Sequence, residues 1–320
     1  MKHKIVLLSD HPLSTSGVGT QARILIDGLI KTGKYSFNCL GAAIKHGNYD
    51  TVMVNQDLVI KPIDGFGTKE MLRQILITQK PDAILLFTDP RQFIWAWDVE
   101  DEIHQVCPIA YWHVWDNGPY PEFNDTWYES TDLINCLSDS TYELVKPRHP
   151  SKTNYVPHSW PKELFHQINE EETKQLKEKF FGPMKDWFMA LWVNRNAHRK
   201  LPADLMHGWK LFLDKLEAKT GKKEAFLLMH TDPSDFEGVD LFKISEMLKI
   251  KENVIFSNQP VEFSQLNMLY NIADTTVNVS RAEGFGLATL SSLFVGKPII
   301  ANMTGSLTSQ VKNRVTSFVY

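Results

Sequence analysis

Cysteine is scarce in this 320-residue chain: Cys39, Cys107 and Cys136 are the only three, far apart and without a Cys-x-x-Cys pair. That usage argues against a disulfide framework and a structural metal site, and it suggests a reducing, cytoplasmic compartment. Long apolar runs are also lacking. Ile5 to Leu8, after Met1-Lys-His-Lys, is too short for a signal sequence or a spanning helix. Neither charge sign dominates: the net charge of -4 leaves no electrostatic case for nucleic acid, and at most peripheral contact with a membrane. Low-complexity tracts and internal repeats are absent. What is present is ordinary for a globular protein, 43% hydrophobic and 22% charged, and long enough for two domains.

One stretch organises the rest: Ser280-Arg-Ala-Glu-Gly-Phe-Gly-Leu-Ala-Thr-Leu290. Asp274 to Val279 before it reads as a buried strand. Leu287 to Phe294 after it reads as a helix, closed by Gly296 and Pro298. Glu283 and the Gly284-Phe-Gly286 turn therefore sit between a strand's carboxyl end and a helix's amino end, where doubly wound sheets bind ligands. Glycines let backbone N–H groups approach an anion, and the helix dipole favours negative charge there. A carboxylate beside such a turn suits hydroxyl groups, so the pattern implies a phosphate joined to a sugar. The same residues also read as a surface helix start with a tight turn.

A second constellation is Asn194-Arg-Asn-Ala-His-Arg-Lys200, between the strand Trp187–Val193 and the helix Pro202–Leu216. Cations before a helix start oppose its dipole unless an anion offsets them; a solvated basic turn is the plainer alternative. Glu224–His230 and Val254–Ser257 read as strands, the second leading to Asn258-Gln-Pro-Val261, and Phe263–Asn271 as a helix. Asn154 to Pro161, with two prolines, suits a domain joint, and His158 is a candidate for the cleft beside it.

The first half alternates in the same way. Ile5–Leu8 is a strand, Ser9–Gly19 a loop, and Thr20–Ile30 a helix with Ala22, Leu25, Ile26 and Leu29 on one face. Gly17-Val-Gly19 lacks the third glycine of a dinucleotide fingerprint. Strands are predicted at Phe37–Ala43, Thr51–Val59, Pro81–Phe87, Pro108–Trp112 and Asp132–Leu137. Helices are predicted at Thr68–Gln79, from Phe93 through His104, and over Ser138–Lys146. The aromatics of Phe93–Trp97 read as packing, with a sugar platform as the alternative. His113-Val-Trp-Asp116 ends a strand.

Glu283-Gly-Phe-Gly-Leu287, with Gly296-Lys-Pro-Ile-Ile-Ala301 and Thr304-Gly305, resembles the signature of the retaining glycosyltransferases of GT-B fold, the group-1 (GT4-like) family. The resemblance implies an α/β, GT-B-like architecture: two doubly wound Rossmann-like domains facing a cleft, 1–156 on the acceptor side and 157–320 binding a nucleotide-diphosphate sugar. It implies transfer of that sugar with retention to an unknown saccharide, lipid or protein acceptor, without cofactor or metal. Arg195 and Lys200 have the family's five-residue spacing and are expected to clamp the diphosphate, with Arg199 added. Glu283 is expected to hold sugar hydroxyls, and His113 to reach the donor sugar, with Asp116 orienting it or meeting the acceptor. Asn258 and Val261 are placed at the nucleobase, and Gly284, Phe285, Gly286 and Leu287 at the phosphates. Gly17 and Gly19 resemble the family's first-loop glycine pair. Two positions depart: Ser291 stands where the family's ribose-holding glutamate is expected, and Ser306 where glycine usually repeats. The family usually continues past the position of Tyr320, and lacking that tail is expected to leave sheet edge exposed. A non-catalytic binding or accessory protein and a sugar-nucleotide epimerase are the rival functions.

Overall fold

The computed structural model describes residues 2–43, 47–312 and 317–319. It divides into two compact units, Met1–Ser159 and Trp160–Tyr320.

The first unit is built on eight strands: β1 His3–Asp10, β2 Tyr35–Ala42, β3 Val52–Asn55, β4 Leu58–Pro62, β5 Ala83–Thr88, β6 Ile109–His113, β7 Leu133–Cys136 and β8 Thr153–Tyr155. They lie in the order β3-β4-β2-β1-β5-β6-β7-β8. β3 and β4 are antiparallel and the other neighbours parallel. The strand order reverses at β1 and β5, so their carboxyl ends form the crevice at which such sheets receive ligands. Val6, Leu7 and Leu8 are fully buried, as expected of a parallel strand covered on both faces.

Two expectations for this unit change. Thr51–Val59 is not one strand. The Asn55 side chain accepts from the Asp57 N–H at 2.8 Å, an Asx turn that folds the segment into the β3–β4 hairpin. The helix expected from Phe93 to His104 is broken into Pro90–Phe93, Ile94–Trp97 and Glu100–His104. The breaks let Trp97 turn inward, stack on Trp127 at 5.3 Å and donate to Thr131 Oγ1 at 3.1 Å.

The second unit has six parallel strands: β9 Phe188–Val193, β10 Ala225–His230, β11 Val254–Ser257, β12 Thr275–Asn278, β13 Ile299–Ala301 and β14 Ser317–Val319. Their order is β11-β10-β9-β12-β13-β14, reversing between β9 and β12. β14 pairs with β13 in parallel register and stands last in the order. Leu205, Met206, Trp209 and Leu213 of the helix Pro202–Thr220 are buried, and Trp209 donates its indole N–H to Asn253 O at 3.0 Å. A helix not anticipated from the sequence, Leu241–Met247, starts where Asp240 accepts from Lys243 N–H at 3.0 Å.

Candidate active site

The loop from Val279 to Gly286 joins β12 to the helix Leu287–Phe294, beside the strand-order reversal of the second unit. Its start is set by Asn278, whose Oδ1 accepts from Ser280 N–H at 3.2 Å and from Ser280 Oγ at 2.6 Å. Its end is set by Gly286 at φ +88°, a left-handed position. A Cβ there would meet Leu307 Cδ2 at 2.6 Å, so both backbone and packing call for glycine. Gly286 caps the helix with no side-chain hydrogen bond, which leaves the first-turn N–H groups, beginning at Leu287, without a capping side chain.

This loop is gripped from two sides. Thr304 Oγ1 donates to Arg281 O at 2.8 Å, and Ser306 N–H to Glu283 O at 3.1 Å. The Ser306 hydroxyl and the Gln310 amide both donate to Phe285 O. Ser306 thus has a physical reason to stand where glycine was expected: its hydroxyl ties down the carbonyl before Gly286. On the other side, Arg281 N–H donates to Arg199 O at 2.8 Å and Arg199 Nη1 to Ala282 O at 3.1 Å. Lys200 Nζ reaches Glu283 Oε2 at 2.5 Å, with Lys200 6% and Glu283 8% exposed. A charge pair this buried is costly to break from one side.

The structure therefore brings Arg199, Lys200, Glu283, Gly284, Phe285, Gly286 and Leu287 together. Arg195 is engaged elsewhere: Asp235 takes its Nε and Nη2 at 2.7 and 3.2 Å, and Glu237 its Nη1 at 2.9 Å. Asn258 lies exposed after β11, with Gln259 Nε2 at 3.4 Å from its Oδ1, and Val261 is half-buried further along that loop. Ser291 turns into its own helix, donating to Leu287 O at 2.9 Å, and is 2% exposed.

Sequence reasoning missed two residues at the ends of β9 and β10. Asn194 Nδ2 and Thr231 Oγ1 are buried with no hydrogen-bond partner. Such atoms in a strand-end crevice want a ligand or water. Only three-dimensional packing reveals the deficit. His230 beside them pairs Nδ1 with Ser257 Oγ at 2.9 Å, and burial lowers its pKa.

In the first unit the helix Gly17–Lys31 begins earlier than expected, because Ser16 accepts from Gly19 N–H at 2.9 Å. Ser16 also donates to Asp10 Oδ2 at 2.6 Å, while burial pushes the Asp10 carboxyl up. Gly17 is exposed in the first turn. Gly19 is there for packing, since a Cβ would stand 2.2 Å from Ser14 Oγ and 2.5 Å from His11 O.

His113 differs most from expectation, because both of its ring nitrogens are already occupied. It is fully buried, with Nδ1 3.1 Å from the Tyr111 hydroxyl and Nε2 2.6 Å from that of Tyr128. Tyr111 donates its proton to Thr88 O at 2.8 Å, so Nδ1 must carry the hydrogen that Tyr111 accepts. Nε2 then accepts from Tyr128, which itself accepts from Asn124 Nδ2 at 3.2 Å. Burial pulls the His113 pKa down to about 3, partly opposed by Asp89, so the ring is neutral. In this arrangement no ring nitrogen is left to meet a sugar. His158, likewise buried, is lowered to about 3.

Among the described residues no three His, Cys, Asp or Glu side chains gather as a metal ligand set, and no helix is long and apolar enough to cross a membrane.

Residues 208–320 match the family model described as glycosyl transferases group 1. The chain resembles the group 1 glycosyl transferases. No curated protein sequence matches it. Among solved structures, sucrose-phosphate synthase from Thermosynechococcus elongatus aligns with a TM-score of 0.74 and 16% identity, over 99% of this chain and 86% of that one. Anabaena HepE, solved in complex with UDP and glucose, gives 0.74 and 15%, over 99% and 85%. A glycosyltransferase from Rickettsia africae gives 0.71 and 15%, over 99% and 84%. At these identities the likeness carries the fold, which is GT-B.

Proposed function

We propose that the protein is a retaining, GT4-like glycosyltransferase that moves a sugar from a nucleotide-diphosphate donor to an acceptor. The observation that carries this reading is the buried Lys200–Glu283 pair at the uncapped start of Leu287–Phe294, with Arg199 bonded to the loop before it. Cations and helix N–H groups beside one carboxylate match a ligand with a diphosphate and sugar hydroxyls. Arg195 and Lys200 stabilise charge on the leaving diphosphate, and Glu283 holds the sugar. The orphaned Asn194 and Thr231 atoms, with Asn258 and Val261, receive the nucleoside. Because HepE was solved with UDP and glucose, a UDP-sugar is the first donor to test. Residues 1–156 then form the acceptor side, Gly17 and Gly19 included, and residues 157–320 the donor side. His113 acts from inside the first unit, by positioning the loops after β5 and β6. The buried, free Cys39, Cys107 and Cys136 suit a cytoplasmic setting.

One observation favours a second reading, a non-catalytic nucleotide-sugar-binding protein. Ser291 is buried where the resemblance puts a ribose-binding carboxylate. Calorimetry with UDP-, GDP- and ADP-sugars, followed by NMR of the released sugar or product, separates the two. Transfer or hydrolysis with retained anomeric configuration supports the enzyme. Binding without turnover supports the second reading, and inversion overturns the retaining assignment.

A further inference from the structure

The segment Asp232–Val239, between β10 and the helix Leu241–Met247, is fastened to the strand-end segment that carries Arg195. Asn196, fully buried, clasps both its ends: Nδ2 donates to Pro233 O at 3.3 Å and Val239 O at 2.7 Å, while Oδ1 accepts from Val239 N–H at 3.3 Å. A Cβ on Gly238 would lie 2.4 Å from the Asn196 carbonyl oxygen, so the clasp needs glycine there. Between the held ends the tip carries Asp235, Phe236 and Glu237. Asp235 grips Arg195 with both oxygens and Glu237 takes the remaining nitrogen, so every nitrogen of the guanidinium faces a carboxylate. Phe236, 88% exposed, lies 5.4 Å from the same guanidinium. Two carboxylates around one cation leave this cluster negative. As it stands, the cluster as a whole repels an anion.

Arg199 differs: its described side-chain bond is to a carbonyl, Ala282 O. The contrast matters because the fork by which a carboxylate meets guanidinium is also the fork by which a phosphate does. We propose that the Asp235–Glu237 tip is an internal competitor for the diphosphate on Arg195, holding that arginine in the ligand-free protein and setting how tightly a donor binds. This rests on the donor-binding reading above. The Arg195 side chain is half exposed, so its carboxylate partners are exchangeable rather than fixed. A diphosphate already held by Lys200, Arg199 and the helix start brings more charge than either carboxylate and displaces them.

The test is calorimetric titration of UDP, GDP, ADP and uridine into the parent and into the double variant Asp235→Asn with Glu237→Gln. Both substitutions keep size, and the amide introduced at position 235 retains an oxygen to accept from Glu237 N–H, as Asp235 Oδ1 does at 3.0 Å in the parent. The diphosphate the parent prefers should bind about three- to tenfold tighter to the variant, with uridine unchanged. Equal or weaker diphosphate binding overturns the proposal; weaker binding would show that the tip orients Arg195 instead. Parent affinity that is indifferent to Arg195→Ala also overturns it, yet leaves the donor reading standing if Lys200→Ala abolishes binding. A folded parent that binds none of the three diphosphates removes the donor reading itself, and this proposal with it. If the double variant melts early, Glu237→Gln alone keeps the Asp235 turn and should still tighten binding about twofold.

Discussion

The two sheets finish their carboxyl ends differently. At the end of β6 the histidine is used up internally: Asn124 Nδ2, Tyr128, His113, Tyr111 and Thr88 O form one directed chain of hydrogen bonds, although Asn124 Oδ1 and Trp115 Nε1 beside it are buried without a partner. At the ends of β9, β10 and β12 polar groups are held in reserve. Lys200 and Glu283 are paired, Asn194 and Thr231 keep orphaned atoms, and a helix start goes uncapped. A ring closed into such a chain is fixed in place; a buried charge pair, orphaned polar atoms and an uncapped helix start around one loop give a place for a ligand. Residue type at a strand end thus says little about binding until its partners are counted.

The largest test of this contrast is Lys200→Ala. It strands the Glu283 carboxylate in a buried site and should destabilise the protein by about 3–5 kcal/mol, read from urea unfolding. Adding Glu283→Gln should restore most of that stability while leaving donor binding absent. If the double variant regains binding as well, Lys200 serves only the pair.

The buried histidines of the first unit predict an acid response. His113 and His158 have folded pKa values near 3 against an ordinary 6.5, both from burial. The unfolded chain therefore takes up protons that the folded one refuses between these values. Stability present above pH 6.5 is lost as pH falls towards 3, at about 1.4 kcal/mol per pH unit for each ring. Urea midpoints from about pH 7.5 to about pH 5 should show a flat region and then this slope, and His158→Gln should remove one ring's share. A slope that survives both His158→Gln and His113→Gln would place the acid sensitivity elsewhere.

A smaller effect separates His113 as an internal link from His113 as a sugar contact. Tyr128→Phe removes the hydroxyl that donates to Nε2 and should cost about 1–3 kcal/mol. Nitrogen NMR of the parent should show the Nδ1–H tautomer at every pH from about 5 to about 8. A ring that titrates in this range would break the comparison.

How much of this could be read from the chain follows the same division. The Gly286 turn and the helix Leu287–Phe294 were legible because a left-handed glycine and a helix start leave local marks. Lys200 and Arg199 were legible by spacing from a strand end. His113 was placed by the family resemblance at a strand end, and a resemblance does not reveal that Tyr111 and Tyr128 close over both nitrogens. Arg195 has the expected spacing too, but its partners come from a loop 40 residues further along the chain, which no local pattern reports. The β3–β4 hairpin was lost because Thr51–Val59 was read as one alternating run, across the three polar residues Asn55, Gln56 and Asp57 where the Asx turn lies.

Ser306 gives the smallest and most local test. Its hydroxyl holds Phe285 O, the carbonyl immediately before the left-handed Gly286. Ser306→Gly would install the residue that the family resemblance led one to expect there. If that glycine is interchangeable, stability and donor affinity should both hold. The structure implies otherwise, because Phe285 O would lose the Ser306 hydroxyl while the backbone gained freedom. The expected loss is about 1 kcal/mol in urea unfolding. Hydrogen exchange should rise over Glu283–Leu287, not over His113–Asp116, which belongs to the other unit. An even rise across both segments would mean that the substitution had loosened the fold as a whole rather than the site.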